Sequence, residues 1–150
     1  MIIRYLLIPG LVFGSTLLQA QESMARAQAL VKEAVAFARK NGKAALLKET
    51  NQGHGRFHAK HGDDLYIFIY DLNGVCQAIG FQSQLAGLNR WGLRDPDGKF
   101  FLQEMIHAAR TKGSGWVDYK YPHPTTGKIE AKTSYVESLD GWVVGCGAYK

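Results

Sequence analysis

Residues able to do chemistry are grouped in three places along the chain. The stretch QGHGRFHAKHGDD carries His54, His58 and His61, three of the five histidines. At those intervals the imidazoles could converge on a metal ion, with Asp63 or Asp64 as a further ligand. The stretch IEAKTSYVE carries Lys132, a cation in a strand-like run, with Tyr119, Tyr121 and Tyr135 in the same region. A cation enclosed by aromatic side chains is suited to holding a small anion. Cys76 and Cys146 supply the two thiols.

What these groups lack is equally informative. There is no C-x-x-C and no C-x-x-C-H, so neither a thioredoxin-like redox motif nor covalent haem attachment is signalled. Serine elbow, H-E-x-x-H, phosphate loop and nucleotide fingerprint are absent as well. Asp95 and Asp97 lie in an Asp-Pro-Asp-Gly turn, where aspartate is expected for structural reasons. The expectation is a binding protein rather than an enzyme, with no cofactor. The histidine stretch as a metal site stands as the alternative.

The chain of 150 residues is 46% hydrophobic, with seven Phe, seven Tyr and three Trp, enough for one well-packed domain. Residues 1–20 have a basic start at Arg4, an apolar run from Tyr5 to Leu18 and a small residue at Ala20. They are expected to be a secretory signal peptide, with the mature domain spanning residues 21–150 in the periplasm or outside the cell. The apolar run is shorter than the roughly 20 residues a bilayer-spanning helix needs, so no membrane span is expected after cleavage. The formal charge of +5 is spread along the chain without a basic run, which argues against a nucleic-acid partner.

Apolar residues from Ser23 to Lys40 recur at three and four, predicting a long amphipathic helix that Asn41-Gly42 stops. Lys43 to Glu49 can form a second, short helix, and the Gly-rich histidine stretch then reads as loop. LYIFIYD, Leu65 to Asp71, predicts a strand covered on both faces, and Asn73-Gly74 turns it back into VCQAIGF. A long connection, FQSQLAGLNRWGLRDPDG, leads to a helix over Lys99 to Lys112. WVDYKY, IEAKTSYVE and GWVVGCGAY follow as three strands. Period two puts Val117, Tyr119 and Tyr121 on one face of the third strand; on the fourth, Lys132 and Ser134 share a face and Ala131, Thr133 and Tyr135 the other. The fold class is α+β, with five antiparallel strands.

LYIFIYDLNG, LAGLN, DPDGK, GSGWVDYKYPHPTTGKIEAKTSYVE and GWVVGCGAYK together resemble the single Cache domain of type 2, an extracytoplasmic sensor module related to PAS domains. The resemblance runs from about Arg26 to Lys150. It implies a PAS-like five-stranded antiparallel sheet, with the long N-terminal helix on one face and a ligand pocket on the other. It further implies a small organic ligand, a short carboxylate being favoured, and a signal passed on to a kinase or chemoreceptor. With the chain ending directly after the last strand, a free-standing version acting through a separate partner is expected.

Tyr119, Tyr121, Lys132 and Tyr135 match the family pattern Y-x-W-x-x-P and K-x-S-Y-V, with tyrosine at 121 where tryptophan is common. Lys132 is the expected anion anchor and Tyr66 the expected floor of the pocket. Asn89, Arg90, Trp91 and Arg94 form a possible lid, from which Trp91 is the expected ligand contact and Arg90 is expected in solvent. The ligand set is thus Tyr66, Trp91, Tyr119, Tyr121, Lys132 and Tyr135. In PAS-like strand order Cys76 and Cys146 stand about 10 Å apart, beyond the roughly 7 Å between Cα atoms that a disulfide allows. His54, His58 and His61 then read as exposed loop residues around an inward Phe57.

Overall fold

The computed structural model describes residues 12–60 and 62–150. A long helix α1, Val12–Asn41, is followed at once by α2, Lys43–Asn51. The hairpin β1, Phe68–Asp71, and β2, Cys76–Ile79, comes next, then a short 3-10 turn at Ser83–Leu85 and helix α3, Phe101–Lys112. The meander β3, Ser114–Pro122, β4, Ile129–Leu139, and β5, Trp142–Tyr149, completes the chain. All neighbouring strands are antiparallel, in the order β2-β1-β5-β4-β3. The last strand therefore enters the middle of the sheet, beside β1.

One sheet face carries α1. Ala27, Val31, Ala34, Val35 and Ala38 are all at most 5% exposed, a stripe at helical spacing whose small residues let the helix lie close to the strands. They pack on Leu65, Ile67, Ile69, Tyr135, Val144 and Cys146. The opposite face carries Tyr66, Phe68, Tyr70, Val117, Tyr119, Val136 and Val143 against Phe101, Leu102, Met105 and Ile106 of α3. Strands β1, β4 and β5 thus feed two cores by simple alternation.

Boundaries depart from the sequence expectation in two places. Among the described residues α1 runs back to Val12, N-terminal to the expected start at Ser23; the part of the expected leader up to residue 11 lies outside the described residues. Regular pairing in β1 begins at Phe68 rather than Leu65. The preceding residues bond instead to the incoming loop and the far end of the hairpin: Ile67 N–H donates to the Phe57 carbonyl at 3.1 Å, and Gly80 N–H to the Ile67 carbonyl at 2.8 Å.

The tight connections obey local chemistry. Gly113 ends α3 in the left-handed region at φ 79°, where glycine has no Cβ penalty. Asp140 and Gly141, at φ 43° and 81°, form a two-residue hairpin between the paired Leu139 and Trp142, the geometry that matches strand twist. The connection after the hairpin is anchored by the buried Asp95. Its carboxylate accepts the backbone N–H groups of Asp97 at 3.0 Å, Lys99 at 2.9 Å and Lys120 at 3.1 Å. Those bonds, that of Lys99 foremost, hold its carboxyl below the ordinary value.

Candidate functional site

Lys132 sits in the middle of β4, paired with Tyr119 on β3 and Tyr149 on β5. Its side chain is 1% exposed. Space for it comes from Gly147 on β5, where a Cβ would collide with Lys132 Cε and Ser134 Oγ. Gly145 similarly makes room for the Phe68 ring. Gly145 and Gly147 thereby open a trough in the sheet, and the lysine lies along it.

The ammonium is enclosed by phenols. It donates to the Tyr66 hydroxyl at 3.0 Å and lies 4.6 Å from the Tyr66 and Tyr149 ring centroids and 5.3 Å from that of Tyr121. Such cation–π contacts strengthen when water is excluded. The Tyr149 hydroxyl gives its proton to the Pro122 carbonyl at 2.7 Å, so in its contact with Tyr66 it acts as acceptor. A relay therefore runs from Lys132 through Tyr66 and Tyr149 to the backbone.

No carboxylate among the described residues forms an ion pair with Lys132. Asp64 is near enough to act on it electrostatically but is turned to His123, whose Nε2 is 3.1 Å away, and to the Thr125 hydroxyl. Thr125 N–H donates to His123 Nδ1 at 3.2 Å, which leaves Nε2 as the nitrogen that donates to Asp64. Burial without a counter-ion brings the lysine from 10.5 down to about 8, because desolvation penalises the charged form.

Beyond the ammonium lies a small cavity of about 20 Å³, lined by Tyr66, Phe68, Tyr70, Met105, Tyr119 and Tyr121 among others. Tyr119 stacks on Phe101 at 4.4 Å and shares a 2.9 Å hydrogen bond with Ser134. Burial holds the Tyr66 and Tyr119 hydroxyls well above the ordinary phenol value, so they remain donors. The arrangement offers one cation and several hydroxyls in a dry aromatic setting, which is chemistry for binding an anion. Burial pushes the Cys76 thiol up to about 11 and the Cys146 thiol up to about 12, leaving neither as a thiolate nucleophile at neutral pH.

Of the residues expected to bind ligand, the structure brings together Tyr66, Tyr119, Tyr121 and Lys132. Tyr135 lies on the opposite face, in the core under α1. Its position is an odd number of residues from Lys132, and strand alternation decides the matter. It packs on Trp116 at 5.3 Å and donates to Glu137 at 3.2 Å. Trp91 stands outside the cavity, 41% exposed; its backbone is held by Asn89 and by the Gln103 side chain.

Arg90, expected in solvent, is instead half-buried and donates to the Tyr121 hydroxyl at 3.4 Å. Sequence reasoning also passed over Tyr149, although period two from Gly145 and Gly147 would have put it on this face. His54 is exposed and His58 half-buried, its Nδ1 3.0 Å from the Ala59 carbonyl; His61 lies outside the described residues. Among the described residues no three His, Cys, Asp or Glu side chains converge as a metal site. Phe57 is fully buried, edge-on to Phe37 at 5.4 Å. Both cysteines are free, Cys76 packed on the α3 side of the sheet and Cys146 on the α1 side.

A PAS-like sheet with a helix on one face and an aromatic cavity beside a buried lysine on the other defines a class of extracytoplasmic small-molecule sensor domains. The chain belongs to the family described as Single Cache domain 2, whose model matches residues 17–150. Over 91 residues it is 43% identical to the sensor histidine kinase MctS of Rhizobium johnstonii, covering 59% of this chain and 20% of that protein. Over 92 residues it is 33% identical to the methyl-accepting chemotaxis protein McpP of Pseudomonas putida, covering 60% and 17%. The match therefore spans no more than a fifth of these relatives' length.

Among solved structures, the periplasmic sensor domain of a chemotaxis protein superposes with a TM-score of 0.66 at 27% identity, over 93% of this chain and 99% of that one. A Cache chemosensory domain described for its recognition of carboxylic acids superposes with a TM-score of 0.65 at 24% identity, over 92% and 95%. At that identity the second likeness concerns the fold. No helix among the described residues is long and apolar enough to cross a membrane.

Proposed function

We propose that this chain is an exported, non-catalytic sensor domain that binds a small organic acid and reports its presence to a kinase or chemoreceptor. The observation that carries the reading is the buried Lys132, which has phenols around it but no carboxylate partner among the described residues. A cation held in this way costs stability, and a bound carboxylate repays it as a charge-assisted hydrogen bond in a water-poor setting. Tyr66 and Tyr121 flank the anion, and Tyr119 with Ser134 offers further hydroxyls. The cavity of about 20 Å³ is close to the space of a single water, so ligand entry moves the side chains between sheet and α3. That displacement supplies the signal.

Support comes from relatives that are a sensor kinase and a chemotaxis protein and from a like-folded domain described for carboxylic acid recognition. Export accords with the apolar leader-like start and with a family of extracytoplasmic domains. Thermal unfolding with and without a panel of short carboxylates, amino acids, amines and purines tests the reading, because a ligand bound only by the folded state raises Tm. At least one carboxylate is expected to raise it for the wild type and not for Lys132→Met. A panel in which no acid shifts the wild type overturns the proposal.

A further inference from the structure

The aromatic cavity has two cations beside it. Lys132 lies against two residues of its lining, bonded to the Tyr66 hydroxyl and 5.3 Å from the Tyr121 ring centroid. Arg90 approaches from the connection between β2 and α3, donating to the Tyr121 hydroxyl at 3.4 Å and also contacting the Tyr70 hydroxyl. An open groove of about 610 Å³ holds Arg90 and shares Leu93, Phe101 and Tyr121 with the cavity. Arg90 and Lys132 therefore meet the same side chain, Arg90 at the Tyr121 hydroxyl and Lys132 at its ring.

Neither cation has an ion-pair partner among the described residues. The acid in the groove, Asp95, has its carboxylate committed to three backbone N–H groups. Among the described residues the cavity lining contains no acid. Phenol oxygens satisfy hydrogen bonds but do not neutralise charge, so both cations keep their electrostatic demand. The Arg90–Tyr121 bond is long and neutral on one side, so a carboxylate readily replaces it with a bidentate charge-assisted pair. An occupant that balances both cations beside Tyr121 carries one negative charge at each end of a short linker.

Building on Lys132 as the anion anchor, we infer that the site selects short dicarboxylates over monocarboxylates and that Arg90 is the residue that makes the selection. One carboxylate meets Lys132, Tyr66 and Tyr121. The linker crosses the aromatic cavity, and the second carboxylate takes the Arg90 guanidinium from Tyr121. A monocarboxylate satisfies Lys132 alone.

Calorimetric titration of the wild-type protein and three variants with succinate and with propionate tests this. Wild type is expected to bind succinate at least about tenfold more tightly than propionate. Arg90→Gln weakens succinate by about tenfold while leaving propionate within about twofold, and Arg90→Lys, which keeps charge but loses the fork, falls between. Lys132→Met loses both acids. Propionate binding as tight as succinate in the wild type, or equal weakening of both acids by Arg90→Gln, overturns the dicarboxylate inference and leaves the anchor standing. Undiminished binding of both acids by Lys132→Met overturns the anchor and this inference with it. Should Arg90→Gln unfold, Arg90→Lys carries the test: an unchanged ratio of the two affinities overturns the inference.

Discussion

The Lys132 ammonium lies 3.0 Å from the Tyr66 hydroxyl, and that phenol, rather than a carboxylate, is its hydrogen-bond acceptor among the described residues. A fully buried lysine held by hydroxyls and ring faces is under-compensated, which links stability and binding through one side chain.

Replacing Lys132 by methionine, similar in length and apolar, should make the domain more stable by about 1–3 kcal/mol at neutral pH, since the cost of burying an unpaired charge disappears. Carboxylate binding should vanish at the same time. Chemical denaturation paired with calorimetry reads both quantities, and a variant that is less stable and still binds contradicts the account.

The lysine also sets a pH dependence. Its folded value, about 8, lies below the 10.5 of an ordinary lysine, so the folded state holds this proton less tightly than the unfolded one. Below about 8 both states are charged and the full cost, about 3 kcal/mol, is present. Between about 8 and 10.5 the folded protein releases the proton first and the cost fades, so stability rises with pH relative to Lys132→Met. The difference between the two proteins removes the tyrosine contributions. Carboxylate affinity, which needs the ammonium, should fall by about tenfold per pH unit above 8.

Tyr66→Phe removes the acceptor and leaves the ammonium with ring faces alone. A loss of about 1–3 kcal/mol is expected at pH 7, shrinking as Lys132 becomes neutral at higher pH. A pH-independent loss would mean that Tyr66 acts through packing instead.

Gly147→Ala tests the trough. Its methyl would enter the space of Lys132 Cε and Ser134 Oγ, at a cost of about 1–3 kcal/mol from overpacking, and it should displace the lysine from its tyrosines. Ligand affinity should drop by about tenfold or more, whereas Gly92→Ala, where a Cβ meets nothing within 4 Å, should leave affinity unchanged.

The two thiols, buried on opposite sides of the sheet, should resist alkylation in the native protein and both react after denaturation without reductant. Intact-mass measurement reads this directly, and a protein that gains two labels only after reduction is disulfide-bonded, against the structure.

The helix stripe of α1 and the turn at Asn73-Gly74 were legible because their signals are local: spacing, φ preference and alternation act within a few residues. Alternation also separates Lys132 from Tyr135, yet the family-like pattern K-x-S-Y-V drew both into one expected ligand set; the pleat puts them on opposite faces. Trp91 looked like a lid residue because a lid was expected in its segment, but its backbone is fixed to Asn89 and Gln103 and its ring remains at the surface.

Sequence by itself determined the α+β class and the strand count and put forward Lys132 with Tyr66, Tyr119 and Tyr121 as candidates, since each follows from residue periodicity or from an order of motifs. Tertiary structure alone decided that Lys132 is buried with no ion-paired carboxylate among the described residues, that Tyr149 packs on it, that Arg90 reaches Tyr121, and that Asp64 is turned to His123. Those facts depend on which strands become neighbours: β5 enters between β1 and β4 and brings Gly147 and Tyr149 to a lysine 15 residues or more away in sequence. Charge compensation is a property of three-dimensional proximity, and no local pattern encodes it.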